Sequence, residues 1–296
     1  MSPAFRGAVT AQMRELGWRE IQDYVIVVPT GFKYDLASVK QNVAGALNEK
    51  LDLLVVGSTA GALEAHRLTK TLPIVMHISG YPVEAGVANS LAHPGKNVTG
   101  NSIYAGTGIW GKLLELLRDA KPGIRRIGIL WGYVPPFFPA AEIEPCYAEF
   151  RKSASALGLA IHIVEVRAHE NLPSALAAIA AERPDALFIS GWLTLGDGWA
   201  SVVQFAAERK LPIVSDLNLP LDDRRLRPLM TYTADTTDLL LRTIGYVDRI
   251  LKGANPGELP IQLPSKFDLI VDQRMAKTIG LKVPQLVLLR ANRVIE

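Results

Sequence analysis

The chain of 296 residues has room for two compact lobes or one large α/β unit, and a composition of 49% hydrophobic against 21% charged residues excludes a disordered or fibrous protein. The net charge of +3 is spread along the chain, and the densest charged run, Leu221–Arg227, mixes both signs, which argues against a nucleic-acid-binding surface. One cysteine, Cys146, excludes an intrachain disulfide and a cysteine-rich metal site, and no apolar run reaches the roughly 18 residues that span a bilayer.

The first twenty residues read as a surface helix rather than a secretion signal, with helical composition from Ala4 to Leu16 and a glycine stop at Gly17. The run Tyr24–Val28 reads as a first strand. Leu36, Val39, Val43 and Leu47 then fall at helical spacing and lead to a strand over Leu53–Val56. The stretch Leu51–Ser102 holds two continuous apolar runs, LDLLVVG and LPIVMHIS, with a helix-like segment between them. Continuous rather than alternating apolar residues suit strands buried on both faces, as in a parallel sheet covered by helices. Asn97–Ile103 reads as a further short strand, and the sequon Asn97-Val98-Thr99 is treated as part of it.

From Ile109 the pattern starts again. A leucine-rich helix ends at Lys121–Gly123, and the expected order is then strand Arg126–Trp131, helix Ala141–Leu157, strand Ile161–Val166 and a helix with Pro173 in its first turn. Strand Ala186–Ser190, helix Ser201–Arg209 and strand Pro212–Ser215 complete the second series. Strands recurring at about 25 to 35 residues, in two series divided near residue 105, fit two similar βαβ lobes. The tail, a long helix through Leu240, Ile244, Val247 and Leu251 followed by IQLP, KFDLIVD and a short helix Arg274–Ile279, is too small for a third domain and completes the first two.

In open α/β sheets ligands collect beyond the carboxyl ends of the strands, so the loops at Gly57–Ala60 and Ser79–Pro82 are expected on one edge. Neither Gly57–Gly61 nor Gly106–Gly108 has the GxGxxG spacing of a dinucleotide site, and there is no P-loop. Ser58 stands one position early for a GxSxG nucleophile, which leaves Ser58 and Thr59 as helix-capping or ligand-binding hydroxyls. The five histidines have no metal-ligand spacing; His77, inside an apolar strand, reads as a core residue before a ligand contact. Asp216 and Asn218 follow a strand directly, as cleft residues or as a turn. Tyr81, Trp131, Tyr133, Phe137, Trp192 and Trp199 lie at or just past strand ends; singly each suits core packing, and together they fit aromatic walls around a small molecule.

The run PIVMHISGYPVEAGVANSLAHPGKNVTG and the ending KGANPGELPIQLPSKFDLIVDQRMAKTIGLKVPQLVLLRANRVIE resemble the substrate-binding proteins of ABC transporters of the tryptophan/tyrosine type, and the likeness covers nearly the whole chain. The resemblance implies the type 1 periplasmic binding protein fold: two doubly wound parallel-sheet lobes joined by a three-strand hinge, lobe 1 over residues 1–104 and 234–256, lobe 2 over 105–233 and 257–296. It implies a solute-binding component of an importer, not an enzyme, with a small organic ligand, aromatic or carboxylate-bearing, a permease in the membrane as partner, and no cofactor, metal or nucleic acid. A soluble sensor of the same fold is the alternative, followed by an α/β cleft enzyme.

The resemblance places the ligand against Ser58, Thr59, Tyr81, Gly132, Tyr133, Gly191, Trp192, Asp216 and Asn218. Many relatives carry an aspartate where Tyr81 precedes Pro82, so a phenol replaces a carboxylate here. Relatives also begin with a signal segment and a strand ahead of the opening helix. The resemblance therefore implies a shortened start, with the first strand of lobe 1 missing, and an exported parent protein in the periplasm or cell envelope.

Overall fold

A computed structural model describes residues 3–29, 36–104, 108–132, 140–166, 171–190, 198–216 and 226–296. The chain divides into two compact units. The first is built mainly from Met1–Ala105 and Ala234–Lys266, the second mainly from Gly106–Val134, Ile143–Thr233 and Phe267–Glu296.

In the first unit, helices α1 (Pro3–Glu15) and α2 (Leu36–Leu47) precede strand β1 (Leu54–Val56), helix α3 (Thr59–Leu68), and strands β2 (Ile74–Met76) and β3 (Val98–Gly100). The strands form a parallel sheet in the order β1-β2-β3, with Val55 opposite Val75 and Val75 opposite Thr99. Ile74, Val75 and Met76 are fully buried, which explains the unbroken apolar run: the central strand is covered on both faces. At the end of β3, Gly100 has φ +134° and a Cβ there would lie 2.2 Å from the Met76 carbonyl oxygen, so only glycine lets the two backbones approach.

The expected strand Tyr24–Val28 is not one. Apart from a single backbone bridge between Glu20 and Tyr24, this run is paired with no strand among the described residues, and Val25 and Val27 are 70% and 49% exposed. Its β-branched composition is a strand signal, but propensity without a neighbouring strand makes no ladder. Val55 of β1 is 45% exposed, and among the described residues β1 has a strand on one side only.

The second unit carries α4 (Gly108–Ala120), β4 (Arg126–Gly132), α5 (Ala140–Leu157), β5 (Ala160–Val166), α6 (Leu172–Ala181), β6 (Ala186–Ile189), α7 (Trp199–Arg209) and β7 (Ile213–Ser215). Strand β8 (Met230–Ala234) leads into the long helix α8 (Thr236–Leu251), and β9 (Phe267–Asp272), α9 (Gln273–Ile279), α10 (Gln285–Arg290) and β10 (Arg293–Ile295) complete the chain. The seven-stranded sheet has the order β10-β9-β8-β7-β6-β4-β5. Strands β8 and β10 and helix α10 escape the sequence reading, because each is short and lies among hydroxyl or mixed residues without clear periodicity. Conversely, IQLP makes no strand; Gln262 forms a lone bridge to Asn101.

Helix α8 belongs to the first unit, where Leu240 and Ile244 pack with Met13 of α1, and Tyr246 and Ile250 pack with Val75 and Leu259. Asp235 caps it by accepting the N–H groups of Thr237 and Asp238 at 2.8 and 3.0 Å. The boundary read at residue 257 shifts to 267. Residues 257–266 stay on the first unit through Gly95 N–H to Gly257 O, Ile261 N–H to Leu91 O and Gln262 N–H to Gly100 O, at 2.8 to 3.0 Å.

The core of the second unit is aromatic. Trp110, Trp131, Phe150 and Phe188 are almost fully buried, with ring centroids 4.9 Å apart for Trp110–Phe150 and 4.8 Å for Phe150–Phe188. Trp131 stacks on Phe188 and meets Tyr147 edge-on. Gly128 admits α6 to the sheet, since a Cβ there would lie 2.8 Å from Ile179 Cγ2.

Candidate ligand-binding site

In the first unit the residues just beyond the carboxyl ends of β1, β2 and β3 form one hydrogen-bonded layer. Ser58 ends the first loop and caps α3, its Oγ accepting the Gly61 N–H at 3.1 Å. Thr59 Oγ1 meets Ser79 Oγ at 3.0 Å and accepts the Gly80 N–H at 3.0 Å. Ser102 Oγ contacts the carbonyls of Gly80 and Tyr104 at 2.7 and 3.1 Å, and Ile103 N–H donates to Ser79 O at 2.7 Å. Thr59, Ser79 and Ser102 are at most 2% exposed. The layer fixes Tyr81 beside Tyr104, ring centroids 5.3 Å apart and tilted by 32°.

The sequence singles out Ser58, Thr59 and Tyr81 and places Ser79 in a loop on the same edge without a role of its own, but misses Ser102 and Tyr104. A signal was available, because a hydroxyl residue follows each of the three strands within three positions of its end. The structure gives the hydroxyls of Ser58 and Thr59 backbone and side-chain partners of their own. They hold the loops that carry Tyr81 and Tyr104, which are 8% and 4% exposed.

His77, the residue after β2, brings Nδ1 to 3.0 Å from Thr243 Oγ1 of α8, and Asn101 Nδ2 donates to the same oxygen at 3.0 Å. Thr243 Oγ1 in turn donates to Leu239 O at 2.8 Å. Burial pushes the His77 imidazole down to about 4, so it is neutral near pH 7.

In the second unit Gly132 ends β4, its N–H donating to Ser190 Oγ at 2.7 Å, while Ser190 N–H donates to Leu130 O at 3.0 Å. Asp216 follows β7 and is 5% exposed. The neighbouring Ser215 Oγ is buried without a hydrogen-bond partner among the described residues, and so are Thr231 Oγ1 and Thr233 Oγ1 on β8, with Ser215 opposite Thr231 in the sheet. Tyr133, Gly191, Trp192 and Asn218 of the expected site, and Phe137 of the expected aromatic walls, lie outside the described residues.

Two of the expected wall residues are core instead. Trp131 is 1% exposed within the aromatic cluster, and Trp199 is 2% exposed with Nε1–H donating to Leu226 O at 2.7 Å. A residue at a strand end still points to one face of the sheet or the other, and here both indoles point into covered faces.

No group of three or more histidine, cysteine or acidic side chains is placed to hold a metal among the described residues. The Tyr147 hydroxyl is raised first by burial and then by Glu165, whose Oε1 accepts it at 3.2 Å; this pair packs beside the aromatic core. A cavity of about 300 Å³ on the first unit is lined by Thr10, Arg14, Trp18, Arg19, Glu20 and Gln22, all from α1 or the turn after it and none from a strand end.

Parallel sheets with loop layers at their carboxyl ends are shared by many binding proteins, so relatives decide the family. The family model for ABC transporter substrate binding proteins matches residues 4–295. The chain belongs to that family. This substrate-binding protein is 22% identical over 250 residues to the tyrosine-binding protein of Clostridioides difficile (strain R20291), covering 84% of the chain and 68% of the relative. A domain from Streptococcus pneumonia solved in complex with L-Trp superposes with a TM-score of 0.80 at 23% identity, covering 100% of this chain and 97% of that one. A ligand-free, open substrate-binding protein with adhesive properties from Clostridium difficile gives 0.73 at 20% identity, covering 99% and 94%. The fold of this substrate-binding protein is thus the type 1 periplasmic binding protein fold.

Proposed function

We propose that this substrate-binding protein is the solute-capturing component of an ABC importer in the periplasm or cell envelope, and that its solute is an amino acid or related organic acid with an aromatic ring. The family match supports the transport role. The observation that carries the aromatic preference is the pair Tyr81–Tyr104, held by three buried hydroxyl residues at the strand ends of the first unit. Likeness to a protein named for tyrosine binding and to one solved with L-Trp points the same way.

In this reading Tyr81 gives an aromatic surface, while Ser58 and Thr59 hold the loops around it. From the second unit, the resemblance assigns Gly132, Tyr133, Gly191, Trp192, Asp216 and Asn218 to the solute. A permease then receives the solute, and no covalent chemistry takes place.

Thermal and denaturant unfolding with L-tryptophan, L-tyrosine, L-phenylalanine and aromatic acids tests the reading. A ligand at 100 times its Kd adds about 2.7 kcal/mol. No stabilisation by any of them would sink the aromatic preference, and turnover of a bound compound would sink the transport role.

A further inference from the structure

The His77 ring is held at one end and left open at the other. At the held end, Thr243 Oγ1 has one proton and gives it to Leu239 O at 2.8 Å, in the back-bonding geometry of a helical threonine. The same oxygen accepts from Asn101 Nδ2 at 3.0 Å and lies 3.0 Å from His77 Nδ1. With the threonine proton committed, the contact to His77 is a hydrogen bond only if Nδ1 carries the proton. The tautomer assigned from this network leaves Nε2 as a bare acceptor.

Nε2 has no partner among the described residues, and the side chain, although mostly covered, keeps partial exposure. The aromatic neighbour is Phe5 in the first turns of α1, 5.7 Å away and edge-on, itself 38% exposed. Burial is what lowers the imidazole. The ring stands directly after β2, two residues before Ser79 and four before Tyr81, at the edge of the sheet where the hydroxyl layer forms.

We propose that His77 is a specificity-determining residue of this protein, its Nε2 accepting a hydrogen bond from an N–H or O–H donor of the bound solute. The inference rests on the solute-binding reading above. An uncharged acceptor favours a solute with a donor at that point over the same skeleton without one, because the unmatched nitrogen would otherwise be desolvated unpaired. Phe5 meets the imidazole edge-on and covers part of it.

The test uses the full chain with ¹⁵N-labelled histidine and three probes: L-tryptophan, 1-methyl-L-tryptophan, which lacks the ring donor, and indole-3-propionic acid, which lacks the ammonium. The free protein is expected to show His77 protonated at Nδ1 with an unprotonated Nε2. Saturation with L-tryptophan should shift the Nε2 resonance, and one of the two analogues, lacking the donor that His77 reads, should leave it unmoved. His77→Phe should weaken L-tryptophan binding about tenfold, while His77→Gln, which keeps a polar group near the same position, should stay within about threefold of the native protein. If L-tryptophan binds but the Nε2 resonance is unmoved and His77→Phe binds as tightly as the native protein, His77 has no such role. If no probe binds the native chain, the solute-binding reading for aromatic amino acids fails first, and the role of His77 falls with it.

Discussion

Thr59 and Ser79 meet through their hydroxyl oxygens at 3.0 Å, and through that contact the loop after β1 is tied to the loop after β2. Thr59 Oγ1 also accepts the Gly80 N–H, so one buried oxygen serves two loops. Replacing Thr59 by valine keeps the volume and strands both partners. The expected cost is about 1 to 3 kcal/mol in urea unfolding, with most of it restored in Thr59→Ser. If the tie positions Tyr81, the valine variant also loses affinity for aromatic solutes, and calorimetric titration separates that effect from the loss of stability.

A second expectation concerns acid. His77 has a folded value near 4 against 6.5 for a free imidazole, so between these values the unfolded chain binds more protons and stability falls as pH falls. The loss between pH 7 and pH 5 is about 2 kcal/mol, read as a lower urea midpoint. Carboxylates held low, such as Glu64 hydrogen-bonded to Arg67, keep their contribution until pH falls below about 4.5, so the two windows separate. His77→Phe should flatten the upper window and leave the lower one in place. An unchanged slope between pH 7 and 5 would contradict the burial of this ring.

Gly100 tolerates no side chain. Gly100→Ala combines φ +134° with a Cβ 2.2 Å from the Met76 carbonyl oxygen, so β3 must move away from β2. The expected loss is about 3 kcal/mol or more, visible as a large drop in melting temperature or as insoluble expression. Gly108→Ala, where the added carbon meets nothing within 4 Å, is the matched control and should be near neutral.

Trp131 and Tyr81 should separate stability from recognition. Trp131→Ala empties the centre of the aromatic core and is expected to cost about 3 to 5 kcal/mol in denaturant unfolding. Tyr81→Ala removes a ring at the end of the sheet, where the affinity for an aromatic solute should drop more than the stability does. Equal affinity in Tyr81→Ala and the native protein would remove Tyr81 from the site.

The sequence made the parallel strands legible because burial on both faces leaves unbroken apolar runs, as in Ile74–Met76 and Ala186–Ile189. Helix ends were legible where capping chemistry is local, as at Gly17 and Pro173. Tyr24–Val28 misled because a strand is defined by its neighbour, and composition carries no neighbour. Among site residues, position after a strand was readable and direction was not. Tyr81 and Trp131 both stand at strand ends, yet one joins the loop layer and the other fills the core. The His77–Thr243 contact spans 166 positions of sequence, and no local pattern announces it.

The open flank of β1 has a bearing on how the protein behaves at high concentration. Among the described residues Val55 offers an uncharged side chain beside backbone groups that no strand meets, and Val25, Val27 and Val28 lie exposed in a run without charge. Such a surface recruits extended chain from other molecules, so self-association should rise steeply with concentration and be insensitive to salt. A lysine in place of Val55 is the economical remedy: light scattering of Val55→Lys at increasing concentration should stay flat where the native protein climbs.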